Sequence, residues 1–291
     1  MSLPMWTNYH AHSDFCDGKA SIEDVVATAR KLHMPAVGIS SHAPLPFERK
    51  WCMKPDQLDN YLSEIHRIRA LNQSIEVYAG LEADFIPETM SPATFRQRLD
   101  YIIGSVHFVD RFPDGQGWEI DGTYQDFLKG LDEIFNGKMK DAICRYFELT
   151  RQMLKESAPD IVGHLDKIKM QNKERSTFDE SEVWYQDTIR ETLSAIKSAG
   201  SIVEVNTRGV YQGKTTTTYP SPWIIEEIGK MDIPVTLSSD AHHPDDLVNG
   251  FPQAAATLLH AGIKKIRILS GGKWRDAAFD ERGIKDYKVA H

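Results

Sequence analysis

The chain has 291 residues, enough for a large core, and 42 acidic against 34 basic side chains give a formal charge of −8. That balance argues against a nucleic-acid or membrane-surface protein. No apolar run approaches the roughly 18 residues of a membrane span, and the first residues lack the basic start and apolar core of a signal peptide. Three scattered cysteines, Cys16, Cys52 and Cys144, suit a reducing cytoplasm better than a disulfide framework.

Residues 5–9 read as a weak strand running into His10-Ala-His12 and then Asp17-Gly18. If the strand continues, its period of two points both imidazoles the same way. Ser21, ahead of Glu23 and Asp24, caps a helix reaching about His33. Residues 35–40 form a short buried strand, and Pro44 and Pro46 rule out a helix directly after it. A helix over about 55–71 precedes a strand over 75–81, with Glu82 and Asp84 behind it. A short helix at 92–99 and a strand at 101–107 follow. Residues 109–123, with Gly, Asp, Trp and Pro, read as a long loop over one face. Helices at about 124–135 and 139–157 lead to a strand at 161–164, and residues 166–180 read as a polar loop. A helix over 182–199 stops at Gly200, and a strand covers 201–206. After a loop at 215–218, Pro222 opens a helix ending near Lys230. A strand at 234–239, a helix near 251–261 and a short last strand at 266–269 complete the pattern.

Strand, loop and helix recur seven times, which argues an α/β fold with parallel strands. A closed barrel is favoured because reactive residues recur at the strand ends, and a barrel gathers those ends at one mouth. The candidates are His10, His12, Asp17, His42, Glu82, His107, His164, Asp240 and His242. His33, His66 and His260 fall on helices or helix ends and read as surface or half-buried side chains, and His243 as a bystander of His242. So many imidazoles and carboxylates at one mouth would desolvate and repel one another as bare groups, and divalent cations resolve this. The set is too large for one ion and natural for two or three, with Glu82 shared. Nitrogen and oxygen ligands without thiolate suit Zn, Mn or Fe, and Cys16 reads as packing. Such a centre clamps a phosphoryl group but could equally hydrolyse an amide. Lys167 and Arg208 bring positive charge to the same mouth, a guanidinium being a good fork for phosphate oxygens.

The motifs His10-Ala-His12 with Asp17-Gly18, Ser41-His42-Ala-Pro44, Gly80-Leu-Glu82, Gly104-Ser-Val-His107, Gly163-His164-Leu-Asp166-Lys167, Glu204-Val-Asn206-Thr-Arg208-Gly209 and Ser238-Ser-Asp240-Ala-His242 together resemble the PHP (polymerase and histidinol phosphatase) superfamily, in its histidinol-phosphatase branch. The resemblance implies a distorted TIM-like (β/α)7 barrel with a trinuclear centre. One ion would take His10, His12, Glu82 and Asp240, a second Glu82, His107 and His164, and a third Asp17, His42 and His242. It also implies hydrolysis of L-histidinol phosphate by a metal-bridging hydroxide. Glu82, Asp240, His242 and Arg208 would serve the chemistry, while Arg208, Lys167 and His42 would hold the substrate. Glu48, Asp110 and Trp118 are candidates to recognise its amine and imidazole. The alternatives are a phosphoesterase for another small-molecule or nucleotide phosphate and a non-catalytic metal-binding protein.

Overall fold

In the computed structural model, which describes residues 5–172, 177–285 and 287, the elements run as follows. They are β1 (Thr7–Asn8), α1 (Ile22–Lys31), β2 (Ala36–Ile39), α2 (Leu58–Leu71), β3 (Glu76–Ala79), β4 (Glu82–Asp84), β5 (Ile103–Ser105), β6 (Phe108–Arg111) and β7 (Gly117–Glu119). Then come α3 (Tyr124–Phe135), α4 (Met139–Ser157), β8 (Ile161–Val162), α5 (Val183–Ala199), β9 (Ile202–Asn206), α6 (Arg208–Tyr211) and α7 (Pro222–Lys230). Last are β10 (Val235–Ser238), α8 (Phe251–His260), β11 (Lys265–Ser270), β12 (Lys273–Asp280) and β13 (Gly283–Ile284).

Strands β1, β2 and β3 pair in parallel, and β4, β5, β8, β9 and β10 form a second parallel arc. Two isolated parallel bridges, His42 to Glu82 and Ala11 to Ala241, join the arcs. The ring therefore has seven staves, the third broken into β3 and β4, which makes a distorted TIM-like barrel. Helices α1 and α2 cover the first arc through Ile22, Val25, Val26, Leu62 and Ile65. Around the second arc Phe147, Tyr185, Ile189, Ile225 and Leu258 belong to a larger core. The bottom of the barrel is filled by Tyr9, Ala36, Tyr78, Tyr101, Ile103, Ile161, Ile202 and Leu269. There the Tyr101 hydroxyl donates to Tyr9 O at 2.5 Å, and the Tyr9 hydroxyl donates to Leu269 O at 3.0 Å. With that end sealed by aromatic and aliphatic side chains, the polar groups of the interior collect at the C-terminal ends of the staves.

The helix starts and stops follow the sequence where a specific residue enforces them. The Ser21 hydroxyl accepts from Asp24 N, Gly200 closes α5 in the left-handed region, and Pro222 occupies the first turn of α7. Besides the break in the third stave, four expectations differ. The segment 92–99 is two 3-10 turns, Pro92–Thr94 and Arg96–Arg98, with Arg96 donating sideways to Ala158 O at 2.5 Å. Residues 109–123 are not a plain loop, because β6 and β7 pair as an antiparallel hairpin whose Val109 and Trp118 are buried. Within 166–180, Lys167–Asn172 is a 3-10 helix, and residues 173–176 lie outside the described residues. The last short strand is one of three in an antiparallel sheet outside the barrel, its first turn made by Gly271 and Gly272 at positive φ.

Candidate active site

All nine candidate ligands lie together at the C-terminal mouth. His10 and His12 extend β1. His12 N donates to Ala241 O at 2.8 Å and Ala241 N to His10 O at 3.1 Å, so the backbone stays extended. The period of two then turns both rings into the barrel while Ala11 packs into the core outside it. His42 follows β2, Glu82 begins β4, and His107 and His164 stand just past β5 and β8. Asp240 and His242 follow β10, and Asp240 takes a left-handed φ of 51° that ends the strand and turns the chain at the mouth.

The ligand atoms fall into three groups, each within 4.8 Å: His10, His12 and Asp240; Glu82, His107 and His164; and His12, Asp17, His42 and His242. Glu82 lies between them and is 1% exposed. Its Oε2 faces His10 Nε2 at 3.2 Å, His42 Nδ1 at 3.0 Å and His12 Nε2 at 3.6 Å. Its Oε1 faces His164 Nε2 at 2.7 Å and His107 Nε2 at 3.5 Å, and accepts from Ser105 Oγ at 2.8 Å. Burial alone would raise the pKa of Glu82, but His42, His10 and His107 hold it well below the usual carboxylate range. His12 is pushed the other way: burial, then His242 and His42, drive its pKa well below that of a free imidazole. A neutral ring keeps a lone pair for a cation.

Two carboxylates behind the histidines were missed in the sequence as working parts. Glu204 Oε1 lies 2.5 Å from His10 Nδ1, and its Oε2 accepts from His164 N at 2.7 Å and Asn206 Nδ2 at 3.0 Å. Asp84 Oδ1 accepts from His107 Nδ1 at 2.9 Å and from His107 N at 3.1 Å. A carboxylate only accepts, so each ring carries its proton on Nδ1 and turns Nε2 inward. The sequence signal for Glu204 was a lone acid between valines in a central strand, two residues from Asn206.

The donor set fits divalent cations. His10 Nε2, His12 Nε2, His42 Nδ1, Asp17 Oδ1 and Glu82 Oε2 are buried with no hydrogen-bond partner. Inward ring nitrogens and carboxylate oxygens left bare in this way are what cations satisfy, and the three groups make this a multi-metal site. Cys16 stands outside the three ligand groups: its Sγ donates to Ser13 O at 3.4 Å and touches His12 Nδ1 at 3.5 Å, and burial pushes its thiol pKa up to about 11.

The centre opens into a cavity of about 270 Å³ lined by Trp51, Glu119, Asp121, Lys167, Arg208 and Lys214 beside Asp17, His42, His107, Asp240 and His242. Lys167 Nζ sits 3.1 Å from His107 Nε2 and 3.0 Å from Asp121 Oδ2. Arg208 Nη1 donates to Asp240 O at 2.6 Å and to His242 Nδ1 at 2.7 Å, so this guanidinium braces the ligand residues as well as facing the mouth. Of the residues named for recognition, Trp118 is instead core, packed on Phe127 and Phe135, while Glu48 and Asp110 are exposed outside the cavity. Trp51, Glu119 and Asp121 occupy the wall where those were expected. His33, His66 and His260 are exposed, and His243 caps a turn by accepting from Asp245 N.

A parallel barrel whose mouth carries clustered histidines and carboxylates around a shared glutamate is the architecture of the PHP domain, whose family model matches residues 8–208, and the chain belongs to that family. Within it, the chain is similar to a probable histidinol-phosphatase of Schizosaccharomyces pombe, 26% identical over 282 residues, 90% of this chain and 89% of that one. A probable histidinol-phosphatase of Deinococcus radiodurans is 26% identical over 273 residues, 90% of this chain and 93% of the other. The fold is shared with the crystal structure of histidinol phosphate phosphatase from Lactococcus lactis, complexed with zinc, L-histidinol and phosphate. That likeness has a TM-score of 0.69 at 19% identity and covers 97% of this chain and 99% of the other. Among the described residues no helix is long and apolar enough to cross a membrane.

Proposed function

We propose that this chain hydrolyses L-histidinol phosphate to L-histidinol and phosphate, and does so in the cytoplasm. The observation that carries the phosphatase reading is the central Glu82, buried between three ligand groups that open into a cavity bearing Lys167, Arg208 and Lys214. The relatives matched along nine-tenths of the chain support the particular substrate. Three free cysteines fit a reducing compartment. The small cavity and the charge of −8 favour a small phosphomonoester over a nucleic acid.

His10, His12, Asp17, His42, Glu82, His107, His164, Asp240 and His242 hold two or three divalent transition-metal ions, Zn, Mn or Fe. Such ions supply Lewis acidity toward phosphoryl oxygens and make water more acidic. Arg208 and Lys167 draw the dianion to the mouth and fix its orientation, Arg208 through a planar fork and Lys167 through a point charge. His42 and His242, the least buried of the histidine ligands, face the ester from the rim. The barrel floor closes the other end to water, so the charges at the mouth act in a partly dry site.

Elemental analysis of the purified chain, with kinetics on histidinol phosphate, sugar phosphates and nucleoside monophosphates, tests the proposal. The expected result is two or three ions per chain and the highest kcat/KM on histidinol phosphate. At most one ion after reconstitution with Zn, Mn or Fe overturns the multi-metal assignment. A preference of about tenfold or more for a nucleotide or sugar phosphate overturns the substrate.

A further inference from the structure

Two acids from the end of the β6–β7 hairpin reach the cavity, Glu119 and Asp121. Asp121 is committed to Lys167. Glu119 is held differently. Its Oε1 accepts from Arg49 Nε at 2.6 Å, while its Oε2 has no protein partner among the described residues. Arg49 lines the neighbouring groove rather than the catalytic cavity, so the ion pair passes through the wall between them. The guanidinium is clamped over Phe47 at 5.1 Å and Phe108 at 5.6 Å, with the Arg49 side chain only 23% exposed. A cation fixed on two rings from behind holds a carboxylate at the cavity with one oxygen free. Beside it Trp51 stands edge-on to His42 at 4.7 Å and His107 at 5.7 Å, and stacks on Phe108 at 6.0 Å. The same wall thus offers a flat apolar surface and an anion with a free oxygen, whereas the cavity's other acids are engaged, Asp121 by Lys167 and Asp17 and Asp240 within the ligand groups.

We propose that Glu119 is a specificity residue, its free carboxylate oxygen taking the ammonium of an amino-alcohol phosphate while Trp51 backs the substrate's ring and Arg49 acts as the positioning residue. This rests on the substrate reading above. A dianionic phosphate drawn to the cations and an ammonium drawn to Glu119 fix a short zwitterionic substrate in one direction. A phosphomonoester without an amine gains nothing from this contact. If the Arg49–Glu119 pair only fastens the segment after β2 to the hairpin, its loss would act on every substrate alike.

The experiment uses the metal-loaded full chain and its Glu119→Gln variant, with histidinol phosphate and p-nitrophenyl phosphate as substrates. The wild type should prefer histidinol phosphate. If it does not, the substrate reading falls before the variant is considered. With that preference in place, Glu119→Gln should lower kcat/KM on histidinol phosphate about 10- to 100-fold, chiefly through KM, and leave p-nitrophenyl phosphate within about twofold. Competitive inhibition of p-nitrophenyl phosphate turnover by L-histidinol should weaken in parallel. Equal losses on both substrates, or no loss on either, would overturn the role of Glu119. Should Glu119→Gln not fold, Arg49→Lys loosens the same carboxylate without removing it. A selective rise in KM for histidinol phosphate then supports the proposal, and an unselective effect or none refutes it.

Discussion

Glu204→Gln isolates a carboxylate that touches two histidine ligands without belonging to the ligand set. The side chain is fully buried and surrounded by three donors: His10 Nδ1 at 2.5 Å, His164 N at 2.7 Å and Asn206 Nδ2 at 3.0 Å. A carboxylate satisfies all three. A carboxamide of the same shape has a single acceptor oxygen, and its NH2 must face at least one of those donors in either orientation. If the amide oxygen meets His10, His164 N and Asn206 meet an NH2; if it flips, His10 loses its acceptor and its preferred tautomer. Each buried donor left unpaired costs about 1–3 kcal/mol. A lost partner behind a metal-binding histidine weakens metal affinity or activity about 10- to 100-fold. The expected outcome is a fall of that size in affinity for the most weakly held ion, measured by competition with a graded series of chelators. Turnover should fall with it and recover in part at high metal concentration. Unchanged metal affinity and turnover beside a lowered melting temperature would refute the reasoning and make Glu204 a structural strand residue.

Glu82→Gln should reduce turnover to near background with the fold retained by circular dichroism, because a neutral amide between three ligand groups holds cations poorly; His66→Ala, on the exposed side of α2, is the matched control and should leave kinetics unchanged. Arg208→Ala should lower kcat/KM on a phosphomonoester by about 30- to 1000-fold, the loss of roughly 2–4 kcal/mol from a charged donor in a partly dry site. Because Arg208 also contacts His242 and Asp240 O, metal content should be measured alongside, and unchanged kinetics with a lowered melting temperature would assign it to structure. Gly130→Ala should destabilise without touching the chemistry: a Cβ there would stand 2.1 Å from Trp118 Nε1, and overpacking of this kind costs about 1–3 kcal/mol. Denaturant melts check it, and an unchanged midpoint would show that α3 can slide away from Trp118.

The residues brought together at the mouth were legible because each stands where a short apolar run ends, and no other arrangement of so many imidazoles and acids is easily tolerated without cations. Glu204 was passed over because it sits inside a strand rather than after it. The break in the third stave was hidden for a related reason: residues 75–81 are apolar apart from Glu76 and read as one strand, yet the chain leaves β2 at Ala79 and joins β5 at Glu82. The β6–β7 hairpin was disguised by the polar residues of its exposed turn, while its buried positions, the adjacent Phe108 and Val109 and the distant Trp118, give no period of two in a single window. That misreading also misplaced Trp118, which is spent on the core, while Trp51 and Glu119 line the cavity. Arg208 was found by its charge, but its contacts with Asp240 and His242 depend on the closure of the ring, which local sequence does not encode.

The closure of the barrel also sets an order of events during synthesis. The first stave pairs early with β2 on one side, but on the other it is fastened by residues that emerge late: Asn8 Nδ2 donates to Ser239 Oγ across 231 positions, and the Tyr9 hydroxyl donates to Leu269 O across 260. His10 and His12 leave the ribosome first yet gain their backbone partner only when Ala241 arrives. Until then a nascent chain carries the Glu82, His107 and His164 group complete, while the other two lack Asp240 or His242. Contacts of such sequence separation form slowly. The full set of ligand groups is therefore assembled only after residue 242 has been made, and a chain cut short before residue 240 would carry its histidines without the residues that complete the centre.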